Sequence, residues 1–210
     1  MKAIRIHKYG GPEVLQIDDI PEPTPKSNEV KINIKASGLN HLDVWIRSGV
    51  LGLPLPLPLI PGSDGAGIVV ACGSDVKNFK AGDHVFINAG YGCKACRPCQ
   101  ENHDSLCTKY QILGEHTHGM HAEFICVDEK QVFHLEKNIS FADGAAFPLV
   151  FLTAYHMLKI KGNLQPGDTA LVMAGGSGVS SAGIQIAKAL GATVITTVGS
   201  EEHKKKVMAL

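Results

Sequence analysis

The strongest chemical signal in this sequence is a group of four cysteines, Cys93, Cys96, Cys99 and Cys107, in the order Cys-x2-Cys-x2-Cys-x7-Cys. Zinc binds thiolates tetrahedrally at about 2.3 Å, and four sulfurs close its coordination shell against water and substrate. The spacing therefore predicts a structural zinc site in a lobe at about residues 90–110, folded by the metal's binding energy. The alternatives are two disulfides or four unrelated thiols. A tight cluster in a chain without a signal-peptide core favours zinc.

A second signal is the glycine-rich segment AGGSGVSSA at residues 174–182, which lies between two apolar stretches. A tight turn from a strand into a helix directs backbone N–H groups and the positive end of the helix dipole toward a pyrophosphate. The segment departs from G-x-G-x-x-G because a serine stands two residues beyond Val179. Its assignment as a phosphate-binding turn therefore rests mainly on its position between two strands. The candidate cofactor-binding residues are Gly176, Ser177, Gly178 and Val179.

The end of the second apolar stretch bears on the type of cofactor. NAD enzymes usually carry Asp or Glu there to bind the ribose 2′-hydroxyl, whereas this chain has a small Gly-Ser pair that ends at Ser200. Ser200 can hydrogen-bond a 2′-phosphate and Lys204 can neutralise it, which favours NADP(H) over NAD(H). The alternative is that Glu201 or Glu202 binds the ribose of NAD and that residues 204–206 are a solvated helix face.

Composition limits the classes of function. The chain has 210 residues, of which 44% are hydrophobic and 19% charged, enough for a packed core. Its 20 basic and 20 acidic residues cancel, so neither nucleic acid nor an anionic membrane is a predicted partner. No apolar run is long enough to span a bilayer, and a cytoplasmic protein is expected. Cys72 and Cys126, outside the cluster, are expected to be buried small hydrophobes.

The elements that must position these residues change in character along the chain. Up to about residue 140, short strands between Gly and Pro turns predict a partly open β-barrel or sandwich. The Leu-Pro alternation of residues 51–61 predicts an extended loop, because Pro has no N–H to donate to a sheet. The predicted strands span residues 2–7, 29–36, 67–72, 84–88 and 122–127.

After residue 140 the apolar pattern becomes helical over residues 141–160, with an interruption at Pro148. The order of elements that follows predicts one βαβ unit, with parallel strands joined by a right-handed crossover. The fold class is therefore α/β with two domains, of which the second begins a Rossmann-type parallel sheet. Its predicted elements are a turn at 163–168, a strand at 169–174, a helix at 180–190, a strand at 192–198 and a helix from about Glu201.

Together these features resemble the medium-chain dehydrogenase/reductase superfamily, which includes zinc-binding alcohol dehydrogenases and quinone oxidoreductases. The resemblance runs over essentially the whole chain and rests on PGSDGAG at 61–67, GDHV at 82–85, the cysteine cluster and AKALGA at 187–192. It implies a GroES-like β-barrel with the zinc lobe over residues 1–145 and an incomplete Rossmann nucleotide-binding domain over residues 146–210. It also implies a cofactor in the cleft between the two domains.

The resemblance separates two branches of the superfamily. In the alcohol dehydrogenases a catalytic zinc is held at positions that match Asn40, Ser63 and Leu149, none of which is a good zinc ligand. Residues 37–49 instead resemble the quinone oxidoreductase motif. The resemblance thus implies hydride transfer from NAD(P)H to a quinone, an enone or another activated carbonyl without a catalytic zinc.

Two alternatives to this function stay open. The first is a zinc-dependent alcohol dehydrogenase with a rearranged metal site drawn from His41, Asp43 and Asp64. The second is a shortened, zinc-stabilised domain that binds a ligand or partner without catalysis. Turnover of NADPH with a quinone distinguishes the enzyme from the binding domain.

The resemblance also supplies candidate catalytic residues, Asn40, Asp43 and Thr153. Asn40 could donate an N–H to the developing enolate oxygen, as in an oxyanion hole, and Asp43 could orient its neighbours. Thr153 matches a position that contacts the nicotinamide, and His41 is a candidate for cofactor binding and for supplying the proton. Each has a structural alternative: Asn40 could cap a turn, Asp43 could cap the following helix, and Thr153 could simply pack.

Two further features complete the sequence-based picture. His116, His118 and His121 have a spacing that could bind a second metal, but the glycines among them favour a loop. The chain also ends after two strands of a fold that usually has about six. We therefore expect either a longer gene product or a homo-oligomer in which a second copy completes the sheet, acting on a small-molecule substrate.

Overall fold

The computed structural model describes residues 1–50, 52 and 54–210, and it divides the chain into two compact units, Met1–Pro148 and Leu149–Leu210. The extended loop predicted for residues 51–61 falls partly on Leu51 and Leu53, which lie outside the described residues. Residues 54–61 are irregular, with a bridge from Leu59 to Ile6. Within the described part of the chain, every helix falls short of the length and hydrophobicity that a bilayer crossing requires.

The strands of the first unit are short and antiparallel. The main sheet curls into a half-barrel with the strand order β8-β3-β4-β5-β9, while β1 pairs with β2 and β6 with β7. In chain order the strands are β1 (Lys2–Ile6), β2 (Leu15–Asp19), β3 (Glu29–Gly38), β4 (Asp64–Cys72), β5 (His84–Ile87), β6 (Gly90–Tyr91), β7 (Gln111–Ile112), β8 (Phe124–Asp128) and β9 (Val132–His134).

The alternation of β3 builds the core of this unit. Val30 and Ile32 are fully buried and pack with apolar residues of β4, β5 and β8, such as Val69 and Val85. The register between β3 and β4 shifts twice, between Lys31 and Ile32 and again farther along the strand. Such bulges bend and twist a sheet, which is how this one curls.

Among the described residues, three helices lie in the first unit and a fourth begins at its last residue, Pro148. They are α1 (His41–Ser48), the single-turn α2 (Arg97–Gln100), α3 (Phe141–Ala146) and α4 (Pro148–Tyr155), with 3₁₀ turns at Pro12–Val14, Asp104–Leu106 and Glu129–Gln131. A π-helical turn, His156–Lys161, follows α4. The interruption predicted at Pro148 separates α3 from α4, because Pro lacks the N–H that a continuous helix would use.

The second unit contains the rest of α4 and the π-helical turn, followed by a βαβ arrangement and a final helix. These last elements are β10 (Thr169–Val172), α5 (Gly178–Ala189), β11 (Thr193–Thr196) and α6 (Glu201–Met208), and β10 pairs with β11 in parallel. Ala187 of α5 packs on Ala170 and Leu164, so one face of the two-stranded sheet is covered. The side chains of Leu171 and Ile195, at alternate strand positions, remain 64% and 55% exposed.

The predicted α/β fold class is confirmed, with several corrections to its details. β4 begins at Asp64, three residues before its predicted start, and β8 begins at Phe124 rather than at residue 122. Cys72 and Cys126 are half-buried rather than buried, although burial raises the pKa of both and brings that of Cys126 to about 11. The two compact units divide after Pro148, and the domain boundary expected after residue 145 stays a prediction.

Candidate functional site

The four cysteines of the predicted zinc lobe come together between β6 and β7. Their Sγ atoms all lie within 4.8 Å of one another, and all four are free thiols. A tetrahedral zinc with bonds of about 2.3 Å separates its sulfurs by about 3.8 Å, and the Sγ atoms of Cys96 and Cys99 are 3.5 Å apart. The donor set and its spacing therefore fit zinc. Among the described residues this is the only such group of three or more His, Cys, Asp or Glu side chains.

Backbone N–H groups are directed at these sulfurs. The N–H of Cys96 donates to Cys93 Sγ at 3.4 Å, and the N–H groups of Cys93 and Lys109 donate to Cys107 Sγ at 3.4 and 3.3 Å. The N–H groups of Ala95 and Cys96 lower the pKa of Cys93 to about 6. Desolvation, by contrast, raises the pKa of Cys99 to about 12. Because a metal binds the thiolate form, the donors to Cys93 favour zinc binding, while zinc must displace the proton of Cys99.

Two local features let the chain wrap around the sulfurs and attach the lobe to the main sheet. A Cβ at Gly92 would lie 2.6 Å from Cys99 Sγ, so a larger residue there would displace the sulfur. Lys94 adopts a left-handed conformation with φ of 60°, and its Nζ lies 2.6 Å from Asp128 Oδ2 in β8. Asp128 also accepts a hydrogen bond from Asn28 Nδ2 at 2.7 Å, which ties the lobe to the start of β3 as well.

Asn40 and Asp43 are brought together at the start of α1, where Asn40 is the N-cap residue. The Asp43 carboxylate is buried and accepts the N–H of Asn40 at 2.7 Å and the N–H of Gly62 at 3.0 Å. The Asn40 side chain in turn donates to Asp64 Oδ2 at 2.8 Å. An amide nitrogen carries two hydrogens, so Asn40 keeps a second donor for a ligand beside the one that Asp64 accepts.

Ser63 and His41 bear on the alternative of a catalytic zinc. Ser63 is fully buried, and its hydroxyl donates to the Leu113 carbonyl at 2.9 Å. His41 is exposed and packs edge-on against Trp45, with ring centroids 4.8 Å apart. Within the part of the chain that the structure describes, His41, Asp43 and Asp64 do not form a group that could share a metal ion.

The histidines at positions 116, 118 and 121 use their Nδ1 atoms in separate hydrogen bonds. Their partners are the N–H of Ile112 for His116 (3.2 Å), the N–H of Ile60 for His118 (3.3 Å) and the hydroxyl of Ser37 for His121 (3.0 Å). Among the described residues these rings form no shared metal site, and the loop predicted for them is consistent with this structural role.

Two of these histidines make stability depend on pH. Burial lowers the pKa of His118 and His121 below the ordinary value of about 6.5; the Arg5 cation adds to the effect at His118, and the Asp43 carboxylate opposes it at His121. The stability that a neutral ring contributes is fully present above the unfolded pKa. It is lost as the pH falls through about 6.5 toward the lower folded pKa. We therefore expect the melting temperature to fall between about pH 7.5 and about pH 5.5.

Thermal unfolding of matched variants across this range checks the origin of the effect. His118→Gln and His121→Gln should each flatten the pH dependence, whereas His134→Gln, at an exposed position in β9, should leave it unchanged. Comparing each variant with the wild type at each pH distinguishes the contribution of the two histidine rings to the pH dependence from that of metal release by protons. A wild-type melting temperature that stays constant or rises on acidification would contradict the expectation.

The glycine-rich turn leads from β10 into α5. Ser177 is the N-cap residue of α5, and its hydroxyl accepts the N–H of Ser180 at 3.3 Å. A Cβ on Gly175 would lie 2.5 Å from Thr196 Oγ1, so the turn runs directly against β11. The predicted residues Gly176, Ser177, Gly178 and Val179 thus lie together at a helix N-terminus, an arrangement that suits a phosphate group.

His203 lies at the same turn, although no sequence motif points to it. Its ring lies 3.3 Å from the position that a Cβ on Gly176 would occupy, and its backbone N–H donates to Ser200 Oγ at 3.2 Å. Lys204, the predicted partner of a 2′-phosphate, forms an exposed ion pair with Glu201 at 3.4 Å. His203 stands in the first turn of α6, three residues after Ser200, and the fold is what brings it to Gly176.

Thr153, the third predicted catalytic residue, is exposed in α4 within the second unit. Asn40 and Asp43 belong to the first unit. The structure thus assembles the predicted residues into three local groups: the four sulfurs, the start of α1 with Asp64, and the glycine-rich turn with the start of α6.

Comparison with known proteins decides the family. The family model of the alcohol dehydrogenase GroES-like domain matches residues 26–137, which is more than half of the chain. The chain belongs to this alcohol dehydrogenase GroES-like family. The matched range contains the main sheet, α1 and the cysteine cluster, and the resemblance to the medium-chain dehydrogenase/reductase superfamily is confirmed.

Several relatives in this family are similar over nearly all of the chain. The quinone oxidoreductase of Homo sapiens is 34% identical over 213 residues, covering 99% of this chain and 56% of that protein. A solved structure described as an NAD-dependent alcohol dehydrogenase is 50% identical with a TM-score of 0.96, covering 100% of this chain and 61% of that one. The Escherichia coli quinone oxidoreductase complexed with NADPH is 32% identical with a TM-score of 0.80, covering 100% and 56%. The chain spans about half the length of the curated relatives it matches.

Proposed function

We propose that the protein carrying this chain is an NAD(P)H-dependent oxidoreductase that transfers a hydride to a quinone, an enone or another activated carbonyl without a catalytic zinc. The observation that carries the proposal is the buried hydroxyl of Ser63. It is bonded to the Leu113 carbonyl at a position that the family resemblance matches to a catalytic-zinc ligand. An activated acceptor needs hydride delivery and stabilisation of one developing oxygen charge, which a hydrogen-bond donor can supply without a metal.

The start of α1 is the proposed place of that stabilisation. Bound NAD(P)H would supply the hydride. The second amide hydrogen of Asn40 donates to the acceptor oxygen as its charge develops, while Asp64 fixes the amide and Asp43 fixes the backbone of Asn40. His41, which is exposed, or a water provides the proton that completes the reduction. Thr153 is the proposed contact to the nicotinamide.

The proposed metal is one structural zinc held by Cys93, Cys96, Cys99 and Cys107. The four free thiols and the N–H donors to Cys93 and Cys107 support it. A closed shell of four sulfurs stabilises the lobe and leaves no coordination position for a substrate.

The proposed cofactor is NADP(H), held by the glycine-rich turn and the start of α6. No acidic side chain directly precedes the Ser200 cap, and both His203 and Lys204 lie on the first turns of α6, where they can meet a 2′-phosphate. The exposed ion pair between Lys204 and Glu201 is weak enough to rearrange on binding. The Escherichia coli relative was solved with NADPH, which supports the same choice for this chain.

Binding of adenosine phosphates tests this cofactor preference. We expect adenosine 2′,5′-bisphosphate to bind more tightly than 5′-AMP, and Lys204→Ala and His203→Phe each to weaken the bisphosphate roughly tenfold, because each removes a donor to a charged group. The phenyl ring keeps the contact with Gly176. Lys206→Ala, which removes a lysine paired with Glu202, is the matched control and should change neither affinity. Isothermal titration calorimetry measures the dissociation constants of both nucleotides for each variant. Binding of 5′-AMP as tight as or tighter than that of the bisphosphate would favour NAD over NADP.

Steady-state oxidation of NADPH with a quinone tests the reaction. We expect turnover that persists in the presence of a chelator for weakly bound zinc, and Asn40→Ala to lower kcat roughly tenfold through loss of one donor to the developing charge. Asn78→Ala, at an exposed loop position, is the matched control and should leave kcat unchanged. A kcat that is the same for Asn40→Ala and wild type would remove Asn40 from the mechanism.

A second candidate function is zinc-dependent alcohol oxidation with atypical ligands. It is favoured by the 50% identity to the solved structure described as an NAD-dependent alcohol dehydrogenase. The same assays distinguish the two functions. Oxidation of an alcohol with NAD⁺ that requires added zinc would support the second candidate over the first.

A further inference from the structure

The four sulfurs of the zinc lobe have unequal surroundings. Cys107 is only 6% exposed, whereas Cys93, Cys96 and Cys99 are half-buried. All four Sγ atoms lie within 4.8 Å of one another, and those of Cys96 and Cys99, three residues apart along the chain, are 3.5 Å apart. Cys96 and Cys99 are therefore close enough to be joined by one bond.

The chain around this pair is open to solvent. Cys96 is the N-cap residue of the single-turn helix α2, and Cys99 lies within it. The neighbouring residues Lys94, Ala95 and Arg97 are exposed. A small neutral oxidant can reach the half-buried Cys96 and Cys99 from solvent, whereas Cys107 is only 6% exposed.

Backbone N–H groups are directed at all four sulfurs. Cys93 Sγ accepts the N–H of Cys96, and Cys107 Sγ accepts the N–H groups of Cys93 and Lys109. The N–H of Cys99 is likewise directed at Cys96 Sγ, and the N–H of Lys94 at Cys99 Sγ. The 3.5 Å separation of the Cys96 and Cys99 sulfurs and the exposure of the chain beside them therefore mark this pair, since backbone donors reach all four sulfurs.

We propose that Cys96 and Cys99 are a peroxide-sensitive pair, converted by hydrogen peroxide to a disulfide with release of the zinc. This inference rests on the proposed structural zinc and is independent of the proposed reaction. Once two of the four sulfurs are joined, Cys93 and Cys107 alone remain as ligands. Two thiolates are too few for a stable structural zinc site, so the metal leaves the lobe.

The chemistry balances with peroxide as the only oxidant. One thiolate attacks a peroxide oxygen, the O–O bond breaks, and a sulfenic acid forms with loss of hydroxide. The second thiolate attacks the sulfenic sulfur, the S–S bond forms, and a second hydroxide leaves. The two sulfurs lose two electrons, the two peroxide oxygens gain them, and a dithiol reductant with added zinc reverses the change.

The lobe's attachment gives the oxidation a structural readout. Lys94, next to Cys93, is bound to Asp128 in β8 and adopts a left-handed conformation within the lobe. Release of the zinc loosens that turn. Trypsin, which cleaves after lysine, should therefore cut at Lys94 and Lys109 faster in the oxidised chain than in the zinc-loaded one.

The test uses the zinc-loaded 210-residue chain with Cys72→Ser and Cys126→Ser, treated with equimolar hydrogen peroxide. A chromophoric chelator measures released zinc, and mass spectrometry of peptides maps the disulfide. We expect zinc release in step with a Cys96–Cys99 disulfide, and rebinding after reduction. The unsubstituted chain, mapped at all six cysteines, gives the same answer if the double variant fails to fold.

Other outcomes overturn the proposal in distinguishable ways. A disulfide between Cys93 and Cys107, or zinc retained while the pair is oxidised, contradicts the assignment of the pair. Sulfinic acids without a disulfide contradict the chemistry. A reduced chain that binds no zinc removes the structural metal and this inference together, whereas loss of quinone turnover alone leaves both intact.

Discussion

Replacing Cys107 with serine should abolish stable zinc binding and unfold the lobe between β6 and β7. The buried Cys107 sulfur accepts two backbone N–H groups, so its loss removes both a metal ligand and the acceptor that orders residues 93 and 109. Structural zinc sites of this kind contribute about 10–16 kcal/mol of binding energy to folding, and a hydroxyl is a poor substitute for a thiolate ligand. We expect metal content to fall from one zinc per chain to almost none, with a large drop in the melting temperature.

Metal analysis and thermal unfolding with and without a chelator check this result. The chelator should lower the melting temperature of the wild type and leave that of Cys107→Ser unchanged, because the variant has no metal to lose. Cys126→Ser, at a half-buried cysteine outside the cluster, is the matched control and should retain the zinc. One zinc per chain in the Cys107→Ser variant would contradict the assignment of the four ligands.

Replacing Asp43 with alanine should strongly destabilise the first unit, although this residue lies outside the zinc lobe. Asp43 is only 7% exposed. Its carboxylate accepts the N–H groups of Asn40 and Gly62, which belong to two segments that are far apart in sequence. Alanine would leave the buried N–H of Gly62 and the half-buried N–H of Asn40 without this partner, at about 1–3 kcal/mol each. We expect the free energy of unfolding to fall by about 2–4 kcal/mol.

Urea unfolding followed by tryptophan fluorescence suits this measurement, because the chain's single tryptophan, Trp45, lies in α1 itself. Asp43→Asn keeps one carbonyl acceptor and should fall between the wild type and the alanine variant. Asp19→Ala, which removes an exposed carboxylate paired with Lys2 at 3.6 Å, should change the unfolding midpoint little. An Asp43→Ala variant as stable as Asp19→Ala would show that the hydrogen bonds of Asp43 make no net contribution to the free energy of unfolding.

The parts of this fold that sequence could predict are those with a local signal. β3 alternates apolar and polar residues, and β10 and β11 flank a glycine-rich turn, so each could be predicted. β2 escapes prediction because Ile17 is 73% exposed and the strand has no buried face; its pairing with β1 is what makes it a strand. β9 is only three residues long, too short for any periodicity to show.

The candidate site, too, has one part that sequence could predict and another that it could not. The cysteine cluster could be predicted because its four ligands lie in one short segment, where spacing alone sets proximity. The bond from Ser63 to Leu113 and the contact of His203 with Gly176 join residues far apart in sequence. Such contacts depend on how elements pack, and no local pattern encodes them.

The sequence separations of the contacts around Asp128 and the zinc lobe also favour an order of folding. Cys93 and Cys107, which close the lobe, are 14 residues apart, and Lys94 and Asp128 are 34 apart, but Asn28 and Asp128 are 100 apart. Closing the longest of these loops costs about 1.7 kcal/mol more chain entropy than closing the shortest. The metal can therefore organise its lobe while β3 and β8 are still unpaired, and the finished lobe then presents Lys94 to Asp128 of β8.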